Sequence, residues 1–534
     1  MQILHNGHIY TQDANNPYVT AIAIENNYIR AIGTDIDILS LSVPNSQVID
    51  LFGKTIWPGL TDAHIHLENY AYSLLWVDCE TETREKCLKQ VEEQAKQSPG
   101  GVWVIGHGWN QNSWTEGFGD ARQLDLISFG HPIYLTAKSL HAAWANSLAL
   151  QQAGINALTI DPPGGKIVRD SEGQPTGILF EAAMGLVEKA IPVRPQAQIC
   201  QLILGAQTKL IQMGITGLHD YDPHSCFSAL QELNRQNNLK LRVIKGIPLE
   251  DMPHAIGLGI HSGFGDNFLR IGSVKLFADG ALGPRTAAMI DPYENEADYT
   301  GYSLLDAEQI FEVGSEAVLN GLSLAVHAIG DGANHAVLDA YAHLRAFENE
   351  QHLLHARHRI EHVQILHPDD FDRLGKLGIV ASMQPVHATS DMLMADKHWG
   401  KRSANAYAWN TLLNNNTNLA FGSDAPVESP NPFWGLHAAV TRQRINGKPG
   451  PSGWYPDQRI TLEQALHAYT YGPAFAAGLE KKLGKLLPGY FADMNILEEN
   501  PFFISPQDLY QVKPIATIIG GEWVWQNYNF KGNV

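Results

Sequence analysis

Alternating strand and helix signals through the middle of the chain predict an α/β fold: a parallel sheet with crossover helices, of the kind that eight units close into a (β/α)8 barrel. Three observations carry this. Short apolar runs at 214–218, 270–277, 322–327, 359–363, 379–384 and 418–422 read as strands. Helical stretches at 307–319, 333–347 and 368–377 fall between several of them, and Pro368-Asp369-Asp370 places acids at the start of the last. Finally, several of the strands end in a polar side chain, which is where barrels of this type carry their chemistry.

The elements on either side differ in texture. Residues 1–57 read as β-rich runs at 3–10, 19–25 and 29–32, with Asn26-Asn27 as a hairpin turn. The far end has the same character at 493–497 and 515–525, where Gly520-Gly521 suits a tight turn. Segments 1–57 and 480–534 are therefore expected to pair into one small β-domain, since domain termini often lie close together. The barrel is expected to span 58–479. Residues 70–205 fit the strand count poorly and hold more Trp, Gly and Pro; they read as an insertion after the first barrel strand that covers the barrel mouth.

Composition excludes several classes of partner. The chain has 534 residues, enough for a large core, and its 44% hydrophobic and 17% charged content is globular rather than disordered. With 56 acidic against 37 basic residues the net charge is -19, which argues against nucleic acid and against anionic membrane surfaces. No apolar run approaches a membrane span, and no basic stretch with an apolar run marks a signal peptide at the N-terminus. The four cysteines, Cys79, Cys87, Cys200 and Cys226, form no Cys-x-x-Cys pair and read as buried thiols in a reducing compartment, the cytoplasm. A small-molecule substrate is expected, and a homo-oligomer is left open.

The chemistry begins at Pro58-Gly59-Leu60-Thr61-Asp62-Ala63-His64-Ile65-His66. Side chains alternate along a strand, so His64 and His66 face the same way and together can hold a divalent metal. Alone, such a pair is more often satisfied by hydrogen bonds. Further along, Lys275, His327, His362 and Asp424 each lie at or just beyond the end of an apolar strand. A buried lysine paired with an acid, a hydrogen-bonded histidine or a helix-capping aspartate explains each singly. Six such residues, in order along five strands, are harder to explain that way.

These residues resemble the amidohydrolase superfamily of metal-dependent hydrolases, whose opening motif the 58–66 segment matches closely. More narrowly, the chain resembles the amidohydrolase family 3 branch, which includes N-substituted formamide deformylase. The narrower likeness rests on Lys275-Leu276-Phe277-Ala278-Asp279-Gly280-Ala281-Leu282-Gly283-Pro284-Arg285-Thr286-Ala287, Val326-His327-Ala328-Ile329-Gly330-Asp331, Arg359-Ile360-Glu361-His362 and Gly422-Ser423-Asp424-Ala425-Pro426-Val427. It covers nearly the whole chain. One departure is Pro284, where the branch usually has Ser before Arg285.

The resemblance implies a TIM-like (β/α)8 barrel, a composite β-sandwich from both chain ends, and one or two divalent metals. His64, His66 and Asp424 would bind the first metal, His327 and His362 the second, and Lys275 would bridge them as a carbamate formed with carbon dioxide. Glu181 is the rival bridge, needing no modification. Nitrogen and oxygen donors of this kind suit zinc. The implied reaction is hydrolysis of a carbon–nitrogen, non-peptide amide bond by a metal-activated water, with Asp424 passing the water proton to the departing nitrogen. Deaminase, esterase and phosphotriesterase readings use the same centre, though mononuclear deaminases generally lack the lysine. A non-catalytic scaffold is the reading of another class.

Other residues are weighed against simpler roles. His141 is a candidate for binding the substrate or its oxyanion, or a packed loop histidine. Arg285 is a candidate for holding a substrate carbonyl or carboxylate, or an ion-pair partner of Asp279 or Asp291. Trp109 and Asn110 are candidates for lining the pocket, with a structural tryptophan as the alternative. His219-Asp220 and Asp331 are expected to orient ligands from behind, and Cys79 and Cys87 to be structural.

Overall fold

A computed structural model describes residues 1–111, 114–138 and 142–528. They form two compact units, Met1–Tyr70 with Ile199–Val534, and Ala71–Gln198.

The first unit is built on eight parallel strands hydrogen-bonded in chain order. They are β1 (Leu60–Ile65), β2 (Ile215–Asp220), β3 (Arg242–Pro248), β4 (Leu269–Phe277), β5 (Leu324–Ala328), β6 (Arg359–His362), β7 (Val380–Met383) and β8 (Leu419–Phe421). Strands covered on both faces need near-continuous apolar runs rather than alternation. Leu324, Ala325 and Val326 of β5 are all fully buried, and every residue of β7 is buried. Crossover helices such as Ala307–Leu319 and Asp331–Glu350 return the chain to the next strand. The first is set by a reciprocal cap between Asp306 and Gln309, which satisfies two free N–H groups at its start.

Strand β3 is absent from the sequence expectations. Its run is broken by Lys245-Gly246, and the lysine is buried against Asp220 of β2 at 3.0 Å. A charged pair inside the barrel hides the strand from a reading based on apolar runs.

The first and last strands meet in a seam. The Ser423 backbone N–H and hydroxyl donate to the two Asp62 carboxylate oxygens at 3.0 and 2.5 Å. The Asp424 N–H donates to the His64 carbonyl at 2.7 Å, and the His66 N–H to the Ala425 carbonyl at 2.9 Å. Gly422 is required here, because a Cβ would lie 2.5 Å from the His64 nitrogen.

The chain ends do pair. Met494–Leu497 runs antiparallel to Thr55–Pro58 in a six-stranded sheet that also holds His8–Tyr10, Pro514–Ile519 and Glu522–Gln526. A four-stranded sheet adds Gln2–His5, Ala21–Glu25, Tyr28–Gly33 and Gln47–Asp50, with Asn26 and Asn27 both at positive φ in the turn. Their apolar faces meet in a cluster that includes Leu4, Ile22, Met494 and Ile518. Arg242 of β3 anchors this layer to the barrel through a buried ion pair with Asp493, its Nη2 2.8 Å from Oδ1.

The second unit is the segment between β1 and β2. It folds around a mixed six-stranded sheet whose strands include Val104–Trp109, Ile133–Ala137, Ala142–Ala145 and Pro175–Glu181. Trp109, Trp114 and Trp144 pack into its own core. Among the described residues no helix is long and apolar enough to cross a membrane.

The seam yields a prediction. Asp62→Ala strands three buried donors, the Ser423 N–H, the Ser423 hydroxyl and the His64 N–H. At about 1–3 kcal/mol each the loss should total roughly 3 kcal/mol or more. Denaturant unfolding checks this; a loss under about 1 kcal/mol would show that the seam is held elsewhere.

Candidate metal centre

Parallel strands place their C-terminal ends at one end of the barrel. His64 lies in β1 and His66 just beyond it, Lys275 in β4, His327 in β5, His362 closes β6, and Asp424 follows β8. Register aligns them: Phe277 pairs with His327, His327 with Glu361, and Ala328 with His362.

Each imidazole is tied back through one nitrogen. His64 Nδ1 lies 2.6 Å from Glu361 Oε2, His66 Nδ1 3.3 Å from Asp222 Oδ1, and His362 Nδ1 2.9 Å from Gln384 Oε1. His327 uses Nε2 instead, 2.8 Å from the Gly280 carbonyl. An acceptor that takes the ring's single proton leaves the other nitrogen as a lone-pair donor, the usual way a protein orients metal-binding histidines. Two of the rings turn their other nitrogen toward Asp424. His64 Nε2 and His66 Nε2 lie 3.5 and 3.4 Å from Asp424 Oδ1. The His362 ring centre is 5.0 Å from that of His64 and 4.5 Å from that of His327. Donors about 3.4 Å apart are what a cation bound tetrahedrally at about 2.0–2.2 Å requires.

The electrostatics agree. Burial, with Lys275 next, pushes the His64 and His327 imidazoles down to about 4, and burial with His327 holds His362 well below the usual range. All three are neutral, the form that ligates. Burial alone would raise Asp424, but the hydrogen bond from His66 leads the influences that outweigh it and keep the carboxylate ionised. His66 is the exception. Burial disfavours its charge, yet Asp222 and Asp424 on its two sides raise it to about 10. A proton thus sits between two carboxylates where a metal would replace it. The donor set fits a divalent cation.

Lys275 is buried, and its ammonium lies over the rings of Tyr221 and Phe277 at 4.9 and 5.1 Å rather than against a carboxylate. Burial brings its pKa down to about 8 even though Glu361 and Asp424 pull the other way. A lysine in this state supplies neutral amine near physiological pH.

Beneath the donors lies a polar layer that the sequence reading assigned only in part. Arg359 donates to His219 Nδ1 at 2.7 Å, to the Ala63 carbonyl at 2.7 Å and to Ser382 Oγ at 2.5 Å, and pairs with Glu361. It links β1, β2, β6 and β7 and fixes the carboxylate that fixes His64. Asp220 pairs with Lys245, and Asp222 receives the backbone N–H groups of Glu68 and Asn69 while holding His66. Glu361 stands inside the motif noted for His362 and was given no role of its own there; alternation along β6 is the signal that could have separated the two. His387, buried beside Asp424, was also missed.

Other candidates stand elsewhere. Arg285 pairs with Glu296, not with Asp279 or Asp291. Asp279 is occupied by the N–H groups of Ala288, in the loop after β4, and of Ile329 and Gly330, just after β5. Asp331 accepts from the Ile290 N–H at 2.9 Å and opens the helix after β5. Glu181 is an exposed residue of the second unit, at the end of Pro175–Glu181. Trp109 is buried in that unit, its indole donating to the Leu135 carbonyl at 2.8 Å, and Asn110 follows it half-buried. His141 lies outside the described residues. A cavity of about 490 Å³ opens among the turns that precede β4, β5 and β6 and rises to His219, Tyr221 and Arg359; it lies at the opposite end of the barrel from the histidines.

The Lys275 environment predicts a stability effect of definite sign. A folded-state pKa of about 8 against 10.5 penalises the charged form by about 3 kcal/mol. The penalty is full below pH 8 and fades as pH rises toward 10.5. Metal-free Lys275→Met should therefore be more stable than the parent at pH 7 and lose that advantage by pH 10.5. Urea unfolding at the two pH values checks this, and an advantage that does not change with pH would contradict it.

The amidohydrolase family pattern matches residues 47–525. The chain is 32% identical to Protein LONG AFTER FAR-RED 3 of Arabidopsis thaliana over 98% of its length and 91% of that protein's. It is also 32% identical to the putative amidohydrolase YtcJ of Bacillus subtilis, over 98% and 99%. N-substituted formamide deformylase of Arthrobacter pascens is 27% identical over 97% and 96%. A crystal structure of an uncharacterized metal-dependent hydrolase from Pyrococcus horikoshii superposes with a TM-score of 0.80 at 27% identity, covering 95% of this chain and 99% of that one. With the pattern matched along nearly its whole length and relatives aligned end to end, the chain belongs to the amidohydrolase family.

Proposed function

We propose that this chain hydrolyses a carbon–nitrogen bond of a small, non-peptide amide, with water as nucleophile. The observation that carries the reading is the convergence of the His64 and His66 Nε2 atoms on the ionised Asp424 carboxylate. His64, His66 and Asp424 would hold the first divalent metal and His327 with His362 the second; the nitrogen and oxygen donors favour zinc. A metal bound there supplies Lewis acidity, easing deprotonation of water and polarising a carbonyl.

The chain's own residues do the rest. Asp424, kept ionised by the histidines around it, accepts the proton of the attacking water and returns it to the nitrogen as the carbon–nitrogen bond breaks. Glu361 and Gln384 keep His64 and His362 in one tautomer. Lys275, with no carboxylate contact among the described residues and its pKa near 8, is suited to capture carbon dioxide and become an anionic bridge. Its place inside the barrel favours it over the exposed Glu181. The four cysteines are buried and unpaired, which fits a reducing compartment such as the cytoplasm.

The substrate class is tested with zinc-reconstituted protein on an N-substituted formamide, the matching ester and an aminated ring. Amide cleavage should dominate, vanish on chelation and return with zinc. Ammonia release from the ring, or ester cleavage without amide cleavage, would overturn the assignment. Asp424→Asn should lower kcat on the amide by about 100-fold or more; an unchanged kcat would remove Asp424 from proton transfer. Bicarbonate should raise zinc uptake by the parent and not by Lys275→Met, with the effect growing as pH rises through about 8. Equal uptake by both would exclude the carbamate.

A further inference from the structure

We propose that His387 is a metal ligand, and that with His362 and Asp424 it forms a cation position distinct from the one made by His64, His66 and Asp424. The inference rests on the metal-dependent reading above and adds a ligand to it.

His387 lies in the first turn of the helix Pro385–Trp399, immediately after β7. Its side chain is buried, and Nε2 is sealed from solvent without a hydrogen-bond partner among the described residues. Buried polar atoms are nearly always satisfied, so an orphaned imidazole nitrogen calls for an occupant. Nε2 points toward Asp424 Oδ2 at 3.9 Å. That is too long for a hydrogen bond. It falls just within the span of two metal–ligand bonds of about 2.0–2.2 Å each. The His387 ring is parallel to that of His362, at 5° and 6.3 Å between centres. One donor atom from each of His362, His387 and Asp424 lies within 4.8 Å of the others, and all three residues are buried. Asp391, one turn on and in electrostatic contact with His387, is held by the Tyr407 hydroxyl at 2.7 Å.

Asp424 thereby faces two ways. Oδ1 addresses His64 and His66, and Oδ2 addresses His387. A carboxylate so placed would serve a cation on either side.

The test is zinc binding by the full chain, measured by competition with a chromophoric chelator. His387→Ala should weaken one zinc equivalent by about 100-fold and leave tighter binding at His64 and His66 unchanged. His387→Asp, which restores an oxygen donor, should recover part of the loss. Parental affinity for every equivalent in His387→Ala would overturn the proposal. Parent protein that binds no zinc would instead defeat the metal-dependent reading itself. Zinc anomalous scattering from crystals of the zinc-loaded parent needs no variant: a zinc within about 2.3 Å of His387 Nε2 is expected. No zinc near that atom would overturn the proposal.

Discussion

Everything at the centre depends on the closure between the first and last barrel strands. His64 and Asp424 are 360 positions apart in the chain, yet the Asp424 N–H is bonded to the His64 carbonyl, and Asp62 clamps Ser423 from the other side. This seam presents the histidine nitrogens to the carboxylate. Gly422 makes it sterically possible, and Asp62, fully buried, uses its carboxylate oxygens to receive the donors that closure brings inward. Fold and site share one set of hydrogen bonds, so a change that loosens the seam is expected to disturb both.

The second organising feature is Arg359. A buried guanidinium is costly to desolvate unless its donors are used. Here they reach His219, Ala63, Ser382 and Glu361 on four strands. That network keeps Glu361 ionised beneath His64; burial alone would raise the Glu361 pKa, and Arg359 and His64 drive it well below the ordinary value. The chain of contacts runs from arginine to glutamate to histidine to the shared donor space. Along it a residue that touches no ligand still decides which imidazole nitrogen is available.

Much of this was legible in the sequence. The strand-end donors stood out because a polar residue after an apolar run is conspicuous, and His64 and His66 were paired by alternation alone. The helix at Ala307–Leu319 fell where its periodicity put it. The rest was hidden for physical reasons. Strand β3 conceals itself by burying Lys245 against Asp220, a compensation visible only in three dimensions. Glu361 was masked by the more conspicuous His362 beside it. His387 lies in a helix turn with no distinguishing flank, and its significance comes from Asp424 and His362, contributed by other strands. Arg285 found Glu296 across a loop whose course no local pattern specifies. The 71–198 segment departed from the strand count because it builds a separate tryptophan-rich core.

The central claim is that the converging imidazoles and Asp424 exist to bind a divalent cation. Elemental analysis of the purified chain, before and after reconstitution with zinc, tests it most directly when paired with a variant in which His64 and His66 are both alanine. The account predicts at least one equivalent of bound metal per parent chain, and loss of at least one equivalent in the double variant. Only trace metal in the parent after reconstitution, or equal metal in both proteins, would contradict it.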